Sequence, residues 1–216
     1  TGCLPAPGEA PEILLWDGRL DNQDDLARRY RAALRSATGT ASIARAAYQQ
    51  DGVAGLGRLI GDWSVVIRDR HAGLTILASD FAGVRPLYYR IDGAQLTWSA
   101  RASTLVEATG VTKLDEQFIA GFLLFGGYPN RTTYEGIRSV PPGHAVCVGP
   151  DRMTTTSFWT APTREYCRYA DERQYDEHFA DLFREAVAVR LTGPRPVVVE
   201  LSGGLDSSSV VCMAHD

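Results

Sequence analysis

No Cys-x-x-Cys pair occurs among the four cysteines, Cys3, Cys147, Cys167 and Cys212, and none has a partner at metal-ligand spacing. That excludes the common zinc sites and a disulfide-stapled scaffold. Such scattering implies free, buried thiols in a reducing, cytoplasmic setting. The four histidines, His71, His144, His178 and His215, are equally dispersed. No apolar run approaches the ~20 residues of a membrane span, so no membrane association is expected. The opening Thr1-Gly2-Cys3-Leu4-Pro5 lacks a charged region followed by an apolar one, so it is not a signal peptide. It also lacks an initiator methionine, and the chain is expected to start inside a longer sequence. Positive charge is not in excess. Lys and Arg number 22 against 26 Asp and Glu, giving a net charge of −4 and a pI near 5.6. This argues against a nucleic-acid partner.

What is present suffices for a globular protein. The 216 residues, 44% hydrophobic and 22% charged, allow one large or two small domains. Residues 1–160 form a first block of small α and β elements. Ile13 to Trp16 reads as a strand, with Asp21 or Asn22 able to cap a helix through Leu34 and Thr40 a second one through Gln50. Trp63–Arg68 with Leu74–Ala78, and Arg85–Ile91 with Gln95–Ser99, read as hairpins. Leu114–Phe125 reads as an amphipathic helix, and Gly143–Val148 with Thr154–Trp159 as a third hairpin. Trp63, Trp98 and Trp159 are expected as buried anchors.

Residues 161–216 form the second block. Ala161 to Tyr169 reads as a linker. Phe179, Leu182, Phe183, Ala186 and Val187 then recur at helical spacing through Arg190. Gly193-Pro194 breaks that helix. Val197 to Leu201 is an apolar run of strand type, a Gly-rich turn follows, and a helix is expected from about Ser207. One parallel strand with one helix cannot make a sheet by itself. The second domain is therefore expected to be incomplete and to need a downstream segment or a separate chain. Glu200, a carboxylate inside that strand, is expected to pair with a nearby arginine, because burying it alone is costly.

The turn between strand and helix carries the chemistry. In such an arrangement the backbone N–H groups of the turn and the positive helix end converge on one spot, which suits phosphate. Gly203 and Gly204 let the backbone approach an anion. Ser202, Ser207 and Ser208 add hydroxyls. Asp206 would repel phosphate alone, and makes sense with Mg²⁺ between carboxylate and phosphates. No lysine follows the glycines, so this is not the GxxxxGK[ST] loop. A bare Ser-Gly-Gly would be explained by a turn and a helix cap. The longer Ser-Gly-Gly-Leu-Asp-Ser-Ser directly after a Val-rich run favours phosphate binding.

Leu201-Ser202-Gly203-Gly204-Leu205-Asp206-Ser207-Ser208 resembles the pyrophosphatase loop of asparagine synthetases. The first block resembles their N-terminal glutaminase-type domain. The matching stretches are Asp17-Gly18-Arg19-Leu20-Asp21-Asn22, Gly61-Asp62-Trp63, Asp80-Phe81-Ala82-Gly83-Val84-Arg85-Pro86-Leu87-Tyr88-Tyr89 and Pro141-Pro142-Gly143-His144. The resemblance implies an N-terminal αββα (Ntn-type) sandwich. The start of a doubly wound α/β ATP-pyrophosphatase domain would follow it. It also implies a reaction. A substrate carboxylate attacks the α-phosphate of Mg-ATP, and an amine then displaces AMP from the acyl-adenylate. ATP and Mg²⁺ are the implied cofactors, with Asp206 as one magnesium ligand.

The sequence departs from a glutamine-hydrolysing member of that family. An N-terminal Cys nucleophile uses its own α-amine as base. Cys3 is third, is followed by Leu4-Pro5, and lies only a few residues before Asp17. It does not fit that role. The family's oxyanion-hole Asn falls at Asp17, whose charge would oppose a developing oxyanion. The glutamine-binding acidic residue beside Gly18 falls at Arg19, and the Asp that grips the glutamine α-amine falls at Thr40. Asp17, Gly18, Arg19 and Thr40 thus read as a vestigial glutamine site. Family members with silent domains of this kind, the β-lactam synthetases and lasso-peptide cyclases, use an internal amine. Asp17 to Asn22 and Glu200 to Val211 look most like the lasso-peptide versions, which close a peptide ring onto an Asp or Glu side chain. The first reading is accordingly a macrolactam synthetase acting on a peptide. The second is an asparagine synthetase or other amidotransferase acting on a small carboxylate. The third is a non-catalytic peptide-binding scaffold.

Overall fold

The computed structural model describes residues 2–5, 13–34, 39–128, 130–161, 166–192 and 196–215. In chain order the first unit runs β1 (Gly2–Pro5), β2 (Ile13–Gly18), α1 (Gln23–Arg29), α2 (Arg31–Leu34), α3 (Thr40–Asp51) and α4 (Val53–Leu56). It continues with β3 (Trp63–Asp69), β4 (Leu74–Ser79), β5 (Tyr88–Asp92), β6 (Gln95–Ser99), α5 (Ala102–Thr109) and α6 (Glu116–Leu123). It closes with β7 (Ile137–Ser139), β8 (His144–Val148) and β9 (Met153–Ser157). The second unit, residues 162–216, holds α7 (Arg173–Leu191) and α8 (Leu205–His215). No helix among the described residues is long and apolar enough to cross a membrane.

Two antiparallel sheets build the first unit. One has the order β1-β2-β3-β4-β8-β9, the other β6-β5-β7. Alternation along each strand splits the six-stranded sheet into two apolar faces. Leu14, Ile67, Ile76 and Cys147 lie in one cross-strand row, and Trp16, Val65, Ala78 and Ala145 in the next. Both rows pack under Leu26, Tyr30, Ile43, Ala44, Ala47 and Leu56 of α1 to α4 and the segments between them. The opposite face offers Leu15, Val66, Leu77 and Val146, which meet Tyr89 of the smaller sheet and, just outside its strands, Leu87 and Val140. Leu105 of α5 is buried, with α5 lying against β5 and β6. The layers are thus helix, sheet, sheet, helix. Burying each such side chain stabilises the fold by about 1.5–3 kcal/mol.

Several local expectations change. The second hairpin starts at Tyr88, not Arg85. Pro86 has no N–H to give a ladder, and the N–H groups of Val84 and Arg85 go to the Asp80 carboxylate. Thr40 does not cap α3. It is the first helical residue, after Gly39. Asn22 stands before α1 but its side chain binds elsewhere, to the Arg58 carbonyl and the Ile60 N–H. The helix expected over 114–125 is α6, capped by Asp115, whose Oδ1 accepts the Phe118 N–H at 3.0 Å. Its last residues and the next two, Phe122, Leu123, Leu124 and Phe125, are exposed, not buried. Trp63 is fully buried between Trp16 and Phe158, with ring centroids at 5.6 and 5.9 Å. Trp98 and Trp159 are partly exposed, the first on the outer strand β6, the second tilted against Phe81 at the rim.

In the second unit α7 matches the expected periodicity, but only Val187 of the stripe is buried. α8 begins at Leu205, two residues earlier than expected. The strand expected at Val197–Leu201 is not formed. Residues 196–202 carry no ladder, as follows for an apolar run with no neighbouring parallel strand. Gly193 and Pro194 lie outside the described residues. Glu200 is correspondingly exposed and makes no ion pair among the described residues, so the expected arginine pairing is absent.

Candidate functional site

The Gly-rich turn sits at the start of an eleven-residue helix, α8. Gly203 has φ +80, a conformation that L side chains rarely adopt. A Cβ there would meet nothing within 4 Å, and one at Gly204 only the Ser202 Oγ at 3.6 Å. The turn is therefore open on its outer side. Ser202 and Ser207 bracket it. Their hydroxyls lie 3.0 Å apart, and the Ser207 Oγ accepts the Ser202 N–H at 3.3 Å. The Ser208 hydroxyl donates to the Gly204 carbonyl at 2.8 Å. These bonds tie Leu201-Ser202-Gly203-Gly204-Leu205 to the first helical turn. The first-turn N–H groups of any helix lack intrahelical partners and face outward with the positive dipole end. Asp206 is in that turn and exposed. An anion seated on the turn would have backbone N–H groups below it and one carboxylate beside it. The chemistry of Gly203, Gly204 and the start of α8 would suit a polyphosphate, and the exposed Asp206 carboxylate is the group there that would hold a magnesium ion.

The four positions expected to form a vestigial glutamine site, Asp17, Gly18, Arg19 and Thr40, stand in the first unit. Asp17 and Gly18 end β2, opposite Ser64 and Trp63 of β3. Gly18 has φ +144, and a Cβ there would lie 2.2 Å from the Asp62 carbonyl. The chain then turns sharply. Arg19 N–H donates to the Asp62 carbonyl at 2.9 Å and Asp21 N–H to the Ile60 carbonyl at 2.7 Å. The Arg19 guanidinium joins two carboxylates, through Nε to Asp62 at 3.1 Å and through Nη2 to Asp21 at 2.8 Å. Arg19 thus clamps residues 19–21 to the loop 60–62. Thr40, half-buried, opens α3.

One organising residue was not singled out from the sequence. Asp80 is fully buried, and its carboxylate accepts four backbone N–H groups. Oδ1 takes Ala82 at 2.9 Å and Val84 at 3.2 Å; Oδ2 takes Trp63 at 3.1 Å and Arg85 at 3.2 Å. Its carbonyl also accepts from Gly83 and from Gly143. Asp80 thereby ties together the three motif stretches around positions 62, 82 and 143. The available signal was an Asp directly after a strand and just before Ala82-Gly83, the setting of an Asx turn.

The thiols differ from expectation. Cys147 is buried and burial pushes its pKa up, which suits an inert core thiol, but Cys167 and Cys212 are exposed. The side chain of Cys3 lies outside the described residues. Among the described residues no group of three or more His, Cys, Asp or Glu could hold a metal.

Comparison with known proteins agrees with this layout. Residues 8–159 match the family described as glutamine amidotransferase domain, and residues 178–216 match asparagine synthase. Asparagine synthetase [glutamine-hydrolyzing] 3 of Bacillus subtilis (strain 168) is 25% identical over 211 residues, covering 93% of this chain and 33% of its own length. Putative asparagine synthetase [glutamine-hydrolyzing] 2 of Methanocaldococcus jannaschii is 24% identical over 203 residues, 92% of this chain and 39% of that protein. The amidase chyE of Penicillium rubens is 28% identical over 198 residues, 83% of this chain and 27% of that one. The chain therefore spans between about a quarter and two fifths of these relatives' length. Among solved structures, glutamine phosphoribosylpyrophosphate amidotransferase from B. subtilis superposes with a TM-score of 0.52 at 14% identity. That match covers 99% of this chain and 46% of the other, and it identifies the fold as the Ntn-type amidotransferase fold.

Proposed function

The chain belongs to the glutamine amidotransferase domain family, followed by a short asparagine synthase segment, and on that premise we propose that it is part of an ATP-dependent amide ligase releasing AMP and pyrophosphate. The observation that carries this reading is the open turn at Gly203 and Gly204 on the N-terminus of α8, with Asp206 in the first turn. Bound ATP supplies an α-phosphorus for a carboxylate to attack, with pyrophosphate as leaving group. The turn's N–H groups and the helix dipole hold the pyrophosphate portion. Ser202 and Ser207 keep the turn in shape by bonding each other. Asp206 would hold Mg²⁺, which would offset the negative charge of the phosphates. The remainder of the synthetase domain, supplied by a downstream segment or another chain, provides the parallel strands that Val197–Leu201 requires.

Within that class the reading we favour is a lasso-peptide macrolactam cyclase, with a peptide Asp or Glu side chain as acid and the peptide's own N-terminus as amine. The support is the state of the glutamine locus. Asp17 supplies a negative charge where an oxyanion would need a donor. Arg19 is committed to Asp21 and Asp62 and offers no carboxylate to glutamine. The second reading is a glutamine-hydrolysing synthetase, favoured by the similarity to two proteins that are named as glutamine-hydrolysing asparagine synthetases.

The test is pyrophosphate release by the complete protein with ATP, Mg²⁺ and candidate precursor peptides, with products weighed by mass spectrometry. Asp206→Asn is expected to lower release at least about a hundredfold while leaving the melting temperature unchanged. Release at the parent rate removes the magnesium role. A product one water lighter than the peptide identifies cyclisation. Amide formation that requires glutamine or ammonia selects the second reading.

A further inference from the structure

β9 is the outer strand of the six-stranded sheet, and all five of its residues are exposed. Its ladder is fixed by two bonds at its ends. Gly149 N–H donates to the Arg152 carbonyl at 2.9 Å, and Phe158 N–H donates to the Gly143 carbonyl at 3.0 Å. The register runs from Val148↔Met153 to His144↔Ser157 without a bulge. Antiparallel alternation then turns the backbone groups of Thr154 and Thr156 toward β8. Met153, Thr155 and Ser157 turn their N–H and C=O groups away from the sheet. No backbone bond reaches these six groups among the described residues. Sheet edges are commonly protected by proline, lysine, bulges or inward charges. Met153-Thr154-Thr155-Thr156-Ser157 has none of these and is rich in strand-forming threonine.

A cavity of about 520 Å³ ends at the same edge. Arg68, Thr75, Val148 and Met153 form one cross-strand row on the face toward the smaller sheet. They line the cavity together with Ile91 and Leu96 from that sheet. Among the described residues the row stops at Met153, because β9 ends the sheet. In a strand added to β9, the residue opposite Met153 would be the next member of the row, and its side chain would enter the cavity mouth. The charged residues lining the cavity are Arg68, Arg152 and Asp151, an excess of positive charge. Arg68 is held across the row by its bond to the Thr75 hydroxyl at 3.0 Å. Apolar walls from Ile91, Leu96 and Val148 suit the methylenes of a long side chain, and the guanidinium of Arg152, next to Met153, suits a carboxylate at its end.

We propose that β9 is a docking edge for an extended peptide segment that pairs with Met153, Thr155 and Ser157 and places an acidic side chain, glutamate best, in this cavity. Main-chain bonds along the edge supply affinity and the cavity supplies selectivity. The inference goes beyond the ligase reading and stands without it, since no residue of the Gly-rich turn takes part.

The test uses the complete protein and a fluorescein-labelled, acetylated pentapeptide, Thr-Val-Glu-Val-Thr. Two controls accompany it, one with lysine for glutamate and one N-methylated at alternate backbone nitrogens. The glutamate peptide is expected to bind at least ~10-fold more tightly than either. Thr155→Pro removes one outward N–H and none of the β8 ladder, so it should cost about tenfold in affinity with little change in melting temperature. Arg152→Glu should invert the preference between glutamate and lysine. No binding up to about 1 mM peptide overturns the proposal. So does binding that survives both Thr155→Pro and N-methylation. If Thr155→Pro does not fold, the N-methylated peptide alone decides. Concentration-dependent dimerisation that competes with the peptide assigns the edge to a second copy of the chain and also overturns it.

Discussion

Replacing Asp80 by asparagine exchanges one carboxylate oxygen for an amide NH₂ and leaves the volume almost unchanged. Each oxygen of Asp80 accepts two backbone N–H groups, at 2.9 and 3.2 Å on Oδ1 and 3.1 and 3.2 Å on Oδ2. The amide can keep one pair and must point its own donors at the other. Two bonds to a charged acceptor are lost, each worth about 1.5–3 kcal/mol net, and the abandoned donors stay buried or half-buried. The expected cost is about 3–6 kcal/mol. For a unit of this size, residues 1–161, each kcal/mol shifts the melting temperature by about 2–4 °C. A drop on the order of 10 °C is therefore expected, with Asp80→Ala at least as damaging because all four donors lose their acceptor. Differential scanning calorimetry of the parent and both variants measures it. A shift below about 3 °C for Asp80→Asn would show that the four N–H groups find other acceptors, and the hub role would be refuted.

Three further expectations follow from the same geometry. The complete protein incubated with glutamine should release no glutamate above background; turnover that disappears on replacing one N-terminal cysteine would sink the silent-glutaminase reading. The Asp115 carboxyl is held below the usual carboxylate range, first by the Phe118 N–H and further by Arg131, so its contribution is intact at neutral pH and is lost as pH falls through that lowered value. Carbon NMR titration of the parent should find the low midpoint together with loosening of α6, and an ordinary midpoint would count against the cap. Arg19→Glu places a third carboxylate beside Asp21 and Asp62 and should destabilise the first unit by about 3–5 kcal/mol, and a variant that melts with the parent would show that the clamp carries no stability.

The first unit was legible where local chemistry and packing agree. The hairpin joining Trp63–Asp69 to Leu74–Ser79 follows from alternation around Ala72-Gly73, and both of its faces find apolar partners. Legibility fails where a side chain competes with the backbone. Nothing in Arg85-Pro86-Leu87 says that the N–H of Arg85 belongs to Asp80, five residues earlier, so the strand reads too long. It fails again where tertiary context is missing. Val197 to Leu201 has the composition of a buried strand, yet that composition states only what the segment needs and not whether a neighbour is there. Periodicity likewise gave α7, while the exposure of Phe179 and Leu182 depends on surfaces that a helical wheel does not contain.

At the glutamine locus, sequence and structure contribute different halves of one argument. The sequence puts Asp17, Arg19 and Thr40 where the family resemblance leads one to expect glutamine-handling groups. Replacement alone is compatible with a domain drifting toward disorder. The structure shows Arg19 bonded to both Asp21 and Asp62, each largely buried, and the turn around Gly18 closed tightly on the Asp62 carbonyl. A buried carboxylate next to Asp21 and Asp62 would have to share the site with two like charges. The arginine therefore braces the turn: it lets Asp21 and Asp62 pack close together, and an acidic residue at position 19 would require the 58–62 loop to rearrange as well.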